Sequence, residues 1–167
     1  CEDGRLNASI AVVVAPNDTS PAVAMARERG VTVAVLDPKD PDYAQRLLEA
    51  VEGCALLCLA GYMRLLPEAV LQAFPRRILN IHPSLLPKFG GKGMYGRHVH
   101  EAVVAANETE SGCTVHYVDA HYDEGEILFQ SRTALPPRAT PEEVGAIVLE
   151  LEKRAYPAAV ALALESL

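Results

Sequence analysis

The sequence predicts an α/β fold built on a mostly parallel sheet, and three observations carry that expectation. Short runs rich in Val, Leu and Ile recur at residues 10–15, 31–36 and 54–60, the composition of strands buried on both faces. Segments with helical spacing lie between those runs, with Pro, Asp or Ser at their starts and Gly at the first of their ends. Strand and helix alternate at short spacing, so consecutive strands are expected to run the same way.

Taken in order, the first strand at 10–15 leads into Asn17, Asp18, Thr19 and Ser20, all cap formers. Pro21 then stands at a permitted first helical position. That helix should run to residue 29 and end at Gly30. After a second strand at 31–36, Asp40 and Pro41 open a helix whose apolar face is Tyr43, Leu47, Leu48 and Val51. The third strand, 54–60, delivers Gly61-Tyr62-Met63-Arg64 to the carboxyl edge of the sheet, where such folds bind ligands. A short helix from Pro67 to about residue 74 precedes a strand at 78–82. Residues 87–96 hold four glycines and form a loop, expected to be flexible. It lacks both Walker spacing and a Gly-x-Gly-x-x-Gly after a strand. A helix at 97–106 carries His98 and His100, which diverge and so do not suit a joint ligand role. Strands at 111–118 and 127–133 flank an acidic loop. The last helix opens at Pro141 behind Thr140, and Pro157 is expected to kink or divide it.

At 167 residues, half of them hydrophobic, the chain is long enough for one domain with a substantial core. Its net charge of −7 argues against a general nucleic-acid binder, which would present a basic face. No apolar run nears the length needed to span a membrane, and no leader is expected. Cys1, Cys54, Cys58 and Cys113 lack paired metal spacing. Cys54 and Cys58 fall in the third apolar run and are expected as buried free thiols, which fits a reduced cytoplasm.

The chain is organised around Asn80-Ile81-His82-Pro83-Ser84. Asn80 and His82 alternate with apolar residues on the strand at 78–82, so both side chains project from one face where Pro83 ends the strand. An amide supplies a neutral N–H donor and an imidazole can hold or release a proton near neutral pH. That pair suits attack on a carbonyl carbon, where a developing oxyanion needs donors and a leaving nitrogen needs a proton. The same pair would equally serve a buried strand end whose polar side chains cap neighbouring backbone.

The longer run Asn80-Ile81-His82-Pro83-Ser84-Leu85-Leu86-Pro87 resembles the signature of the formyltetrahydrofolate-using formyltransferases. The glycinamide ribonucleotide formyltransferases are the nearest branch, because Pro directly follows the His. A second stretch, Ser111-Gly112-Cys113-Thr114-Val115-His116-Tyr117-Val118 with Asp123 and Gly125, is similar to that family's "Gly, small, Thr-Val-His" strand and its acidic loop. Leu59 to Arg64 resembles the folate-side segment. Glu152 with Tyr156-Pro157 resembles the helix that holds the acceptor, so the resemblance runs from residue 10 to the end.

What the resemblance implies is a three-layer, mostly parallel Rossmann-like sheet of the formyltransferase type, with antiparallel strands toward the C-terminal part. It implies formyl transfer from 10-formyltetrahydrofolate, a cosubstrate, to the amine of glycinamide ribonucleotide in purine biosynthesis. No metal, nucleic acid or membrane is implied. Asn80, His82 and Asp123 would be catalytic. Asp123 is expected to raise the His82 pKa, so that a charged ring and Asn80 stabilise the oxyanion while Asp123 assists proton movement. Met63, Arg64, Leu65 and Leu66 would line the pterin pocket, with Asp119, Ala120, His121 and Tyr122 closing over it. Glu152 would bind the acceptor's amine end.

Other readings stand beside these. Met63, Leu65 and Leu66 suit plain core, Arg64 a surface charge, Glu152 an exposed helix acid and Asp123 an ordinary loop acid. His116 is expected to be structural, and His121 to contribute only backbone. His116, Asp119, His121 and Asp123 would together suit zinc or manganese, though without a tight spacing motif. A formyltetrahydrofolate hydrolase, a methionyl-tRNA formyltransferase and a non-catalytic folate-binding remnant are the rival functions. The family opens with a strand, a loop bearing Gly and Ser-Asn that holds the acceptor phosphate, and a helix. The expectation is one domain over residues 1–167 lacking that opening, with acceptor binding weakened more than folate binding.

Overall fold

A computed structural model describes residues 6–167. The expectation that residues 1–7 are irregular falls mostly outside them, as does Cys1. The first strand, β1 (Val12–Ala15), is followed by helix α1 (Pro21–Glu28) with Pro21 in its first turn. Gly30, at φ 66°, ends α1. The Gly30 N–H donates to the Arg27 carbonyl and the Val31 N–H to that of Ala26, the paired bonds of a Schellman stop. Strand β2 (Thr32–Val35) then pairs parallel to β1.

Helix α2 (Tyr43–Ala50) buries Tyr43 and Leu47, four residues apart. Strand β3 (Leu57–Leu59) is much shorter than the expected 54–60, because Cys54 is drawn into the turn after α2 by its N–H bond to the Val51 carbonyl. Helix α3 (Glu68–Ala73) leads to β4 (Ile78–His82), parallel to β3. Helix α4 (Arg97–Ala105), strands β5 (Glu110–Tyr117) and β6 (Ile127–Ala134) and helix α5 (Pro141–Glu165) complete the order. The sheet is therefore mixed. It is parallel at β3–β4 and antiparallel at β4–β5 and β5–β6, the antiparallel part falling toward the C-terminus as expected.

Two adjacent residues of β4 define the layers. Ile78 packs into an apolar cluster with Leu47 of α2 and Val70 of α3, and Leu79 into another with Ala159 and Ala163 of α5. Successive strand residues face opposite ways, so helices cover both faces. The β1–β2 pair forms a separate two-stranded ladder. Val12, Val14, Ala34, Leu57 and Leu59 nonetheless share one apolar cluster, which joins the two sheets by packing alone among the described residues.

Three expectations need correcting. Helix α5 runs unbroken through Pro157. Ala155, Ala159 and Ala163 are all buried, which sets the small residues of α5 against the sheet at a spacing of four. The Tyr156 hydroxyl lies 2.7 Å from the Leu59 carbonyl and 3.1 Å from that of Leu79, so β3 and β4 hold the helix beside its proline. Cys58 is exposed and Cys54 half-buried, while Cys113 is buried; all three are free thiols. The outer edge of β3 has no strand against it among the described residues. Finally, the glycine-rich loop after β4 is not a loose segment. It packs onto the end of the strand, as described next.

Candidate active site

Residues 83–88 make the turn out of β4, and buried polar groups pin it. Thr114 of β5 donates its hydroxyl to the Ser84 carbonyl (2.7 Å) and accepts the Leu86 N–H (3.0 Å). Gln130 of β6 donates to the Leu86 carbonyl at 2.9 Å, and the Ser84 hydroxyl donates to the Lys88 carbonyl at 2.6 Å. Ser84 and Thr114 are fully buried, so these bonds satisfy groups that water does not reach. This network explains why a Ser follows His-Pro and a Thr precedes Val-His in the sequence.

The turn brings the glycine-rich loop back onto His82, which is 3 % exposed. The His82 Nε2 lies 2.7 Å from the Phe89 carbonyl, and its Nδ1 lies 3.3 Å from Asp123 Oδ2. The Gly91 N–H donates to the same Asp123 oxygen at 3.0 Å. Gly90 makes that approach possible, since a Cβ there would stand 2.4 Å from Leu86 Cδ2 and 3.3 Å from Asp123 Cβ. Asp123 itself sits at φ 58°, a left-handed conformation that costs an Asp about 1 kcal/mol or more. Its contacts hold it there.

His116 completes the cluster. It lies opposite Asn80 in the β4–β5 register, and its Nε2 is 3.2 Å from Asn80 Nδ2 and 3.5 Å from Asp123 Oδ1. Asn80, His82 and Asp123 are thus gathered at one strand end, and His116 touches two of the three. The sequence points to a mainly structural His116 and to a glycine-rich loop near the site, but not to the contacts that Phe89 and Gly91 make with His82 and Asp123. The alternation of β5 makes His116 look like any inward residue, and a loop's approach to a side chain leaves no periodic trace.

The electrostatics differ from expectation at one point. Burial pushes the His82 imidazole below the ordinary histidine value, outweighing the upward pull of Asp123 and of the Phe89 carbonyl; nearby His116 also lowers it. Burial alone would raise Asp123. The His116 contact, the Gly91 N–H and the charge of His82 together hold it below the usual carboxylate range. Asp123 is an anion.

The remaining candidates divide. Leu66 is buried in the cluster with Val70 and Phe74, whereas Met63 and Leu65 are 61 % and 46 % exposed. Arg64 is exposed. Asp119, Ala120 and His121 are exposed and Tyr122 half-buried; the His121 N–H donates to Asp119 Oδ1 at 2.8 Å, forming a local turn. Tyr62 lies within electrostatic reach of both Arg64 and Tyr122, so these two segments neighbour each other. Glu152 is half-buried on α5 with its pKa raised by burial, rather than being a freely solvated acid. Its charge and, more strongly, burial push the Cys113 thiol up to about 11. Of the four residues weighed for metal, His116 and Asp123 meet inside while Asp119 and His121 lie exposed. Among the described residues, no group of three or more His, Cys, Asp or Glu side chains could hold a metal ion.

An amide N–H, an imidazole and a carboxylate at one strand end can stabilise an oxyanion and move a proton. The chain as a whole is similar to known proteins. The family model described as Formyl transferase matches residues 1–160. A chloroplastic phosphoribosylglycinamide formyltransferase of Arabidopsis thaliana is 40 % identical over 163 residues, covering 93 % of this chain and 56 % of that protein. The chain thus spans about half the length of the chloroplastic relatives it matches. A phosphoribosylglycinamide formyltransferase of Haemophilus influenzae is 35 % identical over 168 residues, covering 94 % of this chain and 74 % of its own. The crystal structure of the Bacillus halodurans phosphoribosylglycinamide formyltransferase superposes with a TM-score of 0.88 at 32 % identity, over 98 % of this chain and 84 % of that one. By the match along its length and by its fold, the chain belongs to the formyl transferase family.

Proposed function

We propose that this protein transfers the formyl group of 10-formyltetrahydrofolate to the amine of glycinamide ribonucleotide, a step of purine biosynthesis, by direct amine attack. The observation that carries the reading is the convergence of Asn80, His82 and Asp123 at the end of β4. The names of the relatives supply the acceptor and the formyl transfer, and the resemblance of the two motifs supplies the folate donor. In this mechanism the amine nitrogen attacks the formyl carbon, and Asn80 offers an N–H to the oxygen as it gains charge. Asp123 accepts the amine proton, directly or through one water. His82, held below the ordinary histidine value by burial, gains proton affinity as negative charge grows beside it. Collapse of the adduct breaks the bond from carbon to the folate nitrogen, which takes up the proton. Holding both reactants together supplies much of the rate.

On this reading Met63, Arg64, Leu65 and Leu66 cradle the pterin, Asp119, Ala120, His121 and Tyr122 close over it, and Glu152 receives the acceptor's amine end. The exposed apolar surface of Met63 and Leu65 and the partial burial of Glu152 support those roles. The partners are these two small molecules. The free thiols Cys54, Cys58 and Cys113 favour a cytoplasmic setting. No helix among the described residues is long and apolar enough to cross a membrane. The unjoined ladders of β1–β2 and β3 favour a single domain in which one further strand completes the sheet between them.

Folate product formation, followed by absorbance with and without glycinamide ribonucleotide, tests the proposal. Acceptor-dependent turnover is expected, and His82→Ala should abolish it while folate binding survives. Turnover that ignores the acceptor would replace the transferase with a hydrolase. Folate binding without any turnover would leave a non-catalytic binder.

A further inference from the structure

We infer that His116 is a positioning residue for Asn80: it accepts one amide N–H and thereby aims the other at the reacting formyl oxygen. The inference rests on the transferase reading, but its geometry stands by itself. His116 Nδ1 lies 2.9 Å from the Tyr117 carbonyl, which can only accept, so Nδ1 carries the ring proton. The inferred tautomer leaves a lone pair at Nε2, with Asn80 Nδ2 3.2 Å away. An amide nitrogen has two hydrogens. With one held by His116, the second is fixed in direction, and the amide cannot turn its oxygen toward a developing anion.

One feature of the backbone supports the tautomer. Gly125 passes directly over the Tyr117 carbonyl, where a Cβ would lie 1.8 Å from its oxygen and 3.4 Å from His116 Nδ1. Only a residue without a side chain leaves that acceptor open to the ring. The charged or titratable groups facing His116 are Asp123, at 3.5 Å from the β5–β6 loop, and His82 of β4 within electrostatic range.

Nitrogen-detected NMR of the ring in the folded protein tests the tautomer without any substitution. A proton on Nδ1 with Nε2 acting as acceptor is expected; a proton on Nε2 at neutral pH would overturn the inference. Two substitutions test the consequence. His116→Asn keeps a donor for the Tyr117 carbonyl but places nothing at Nε2, whereas His116→Gln reaches that position with an acceptor oxygen. His116→Asn should lower kcat by about tenfold to a hundredfold, a partial loss of one oxyanion donor, with both KM values near wild type. His116→Gln should recover most of that rate. Equal kcat for the two variants at matched Tm would assign His116 to packing. If the wild-type protein turns nothing over, the transferase reading falls and the NMR measurement alone decides the tautomer.

Discussion

Gly90→Ala tests whether the glycine-rich loop belongs to the site or merely passes near it. The added Cβ would lie 2.4 Å from Leu86 Cδ2 and 3.3 Å from Asp123 Cβ. A relaxed carbon contact is about 3.5–4.0 Å, so the first approach is short by roughly 1 Å. Leu86 is buried at 6 % exposure, with its N–H held by Thr114 and its carbonyl by Gln130, so its backbone cannot withdraw. Either its side chain leaves its rotamer or the loop lifts. Overpacking of this kind costs about 1–3 kcal/mol. For a chain of this size each kcal/mol moves Tm by about 2–4 °C, so a fall of about 2–12 °C is expected. Lifting the loop would separate the Gly91 N–H from Asp123 and the Phe89 carbonyl from His82, and kcat should fall at least tenfold, since misplacement by about 1 Å can cost a hundredfold. Thermal melting and steady-state kinetics on one preparation read both numbers. A lowered Tm with wild-type kcat would refute the loop's part in the chemistry, and an unchanged Tm would refute the packing.

Tyr156→Phe removes the hydroxyl shared by the Leu59 and Leu79 carbonyls and should cost about 1–3 kcal/mol in a denaturant melt with little change in the transition's slope; a neutral result would mean water replaces the hydroxyl. Stability should also fall with acidification. His82 and His100 are both held below the ordinary histidine value, chiefly by burial, so the unfolded chain binds their protons more tightly. Their contribution is complete above about pH 6.5, the unfolded value, and is lost as pH falls through the lower folded values; Asp123, also depressed, extends the loss into the carboxylate range. A Tm that stays flat or rises from about pH 7.5 to pH 5 would contradict those directions.

Much of this was legible in the sequence, and the residues show why. Strand β4 was readable to its ends because alternation, Pro83 and the polar pair agree. The start of α5 was readable because Thr140 and Glu143 form a capping box, with the Thr140 N–H donating to Glu143 at 2.8 Å. Pro157 misled because local propensity disfavours proline inside a helix, whereas packing of Ala155, Ala159 and Ala163 outweighs the lost bond. The His82 pKa misled for a similar reason. Its charged partner can be guessed from sequence, but the burial that outweighs the partner belongs to the assembled sheet and loop. His116 was hidden by its strand, since its contacts with Asn80 and Asp123 leave no trace in a period of two.

The contact lengths in the cluster divide according to where hydrogens can sit. His82 Nε2 to Phe89 is 2.7 Å, His116 Nδ1 to Tyr117 is 2.9 Å and Gly91 N to Asp123 is 3.0 Å, each a donor facing an oxygen that accepts. Two further contacts, His82 Nδ1 to Asp123 at 3.3 Å and His116 Nε2 to Asp123 at 3.5 Å, are the long ones. Either would tighten into a charge-assisted bond with a proton on the facing ring nitrogen. Amine attack on a formyl carbon releases one proton, and departure of the folate nitrogen consumes one. On the proposed mechanism, Asp123, which both rings approach, is the group through which that proton passes.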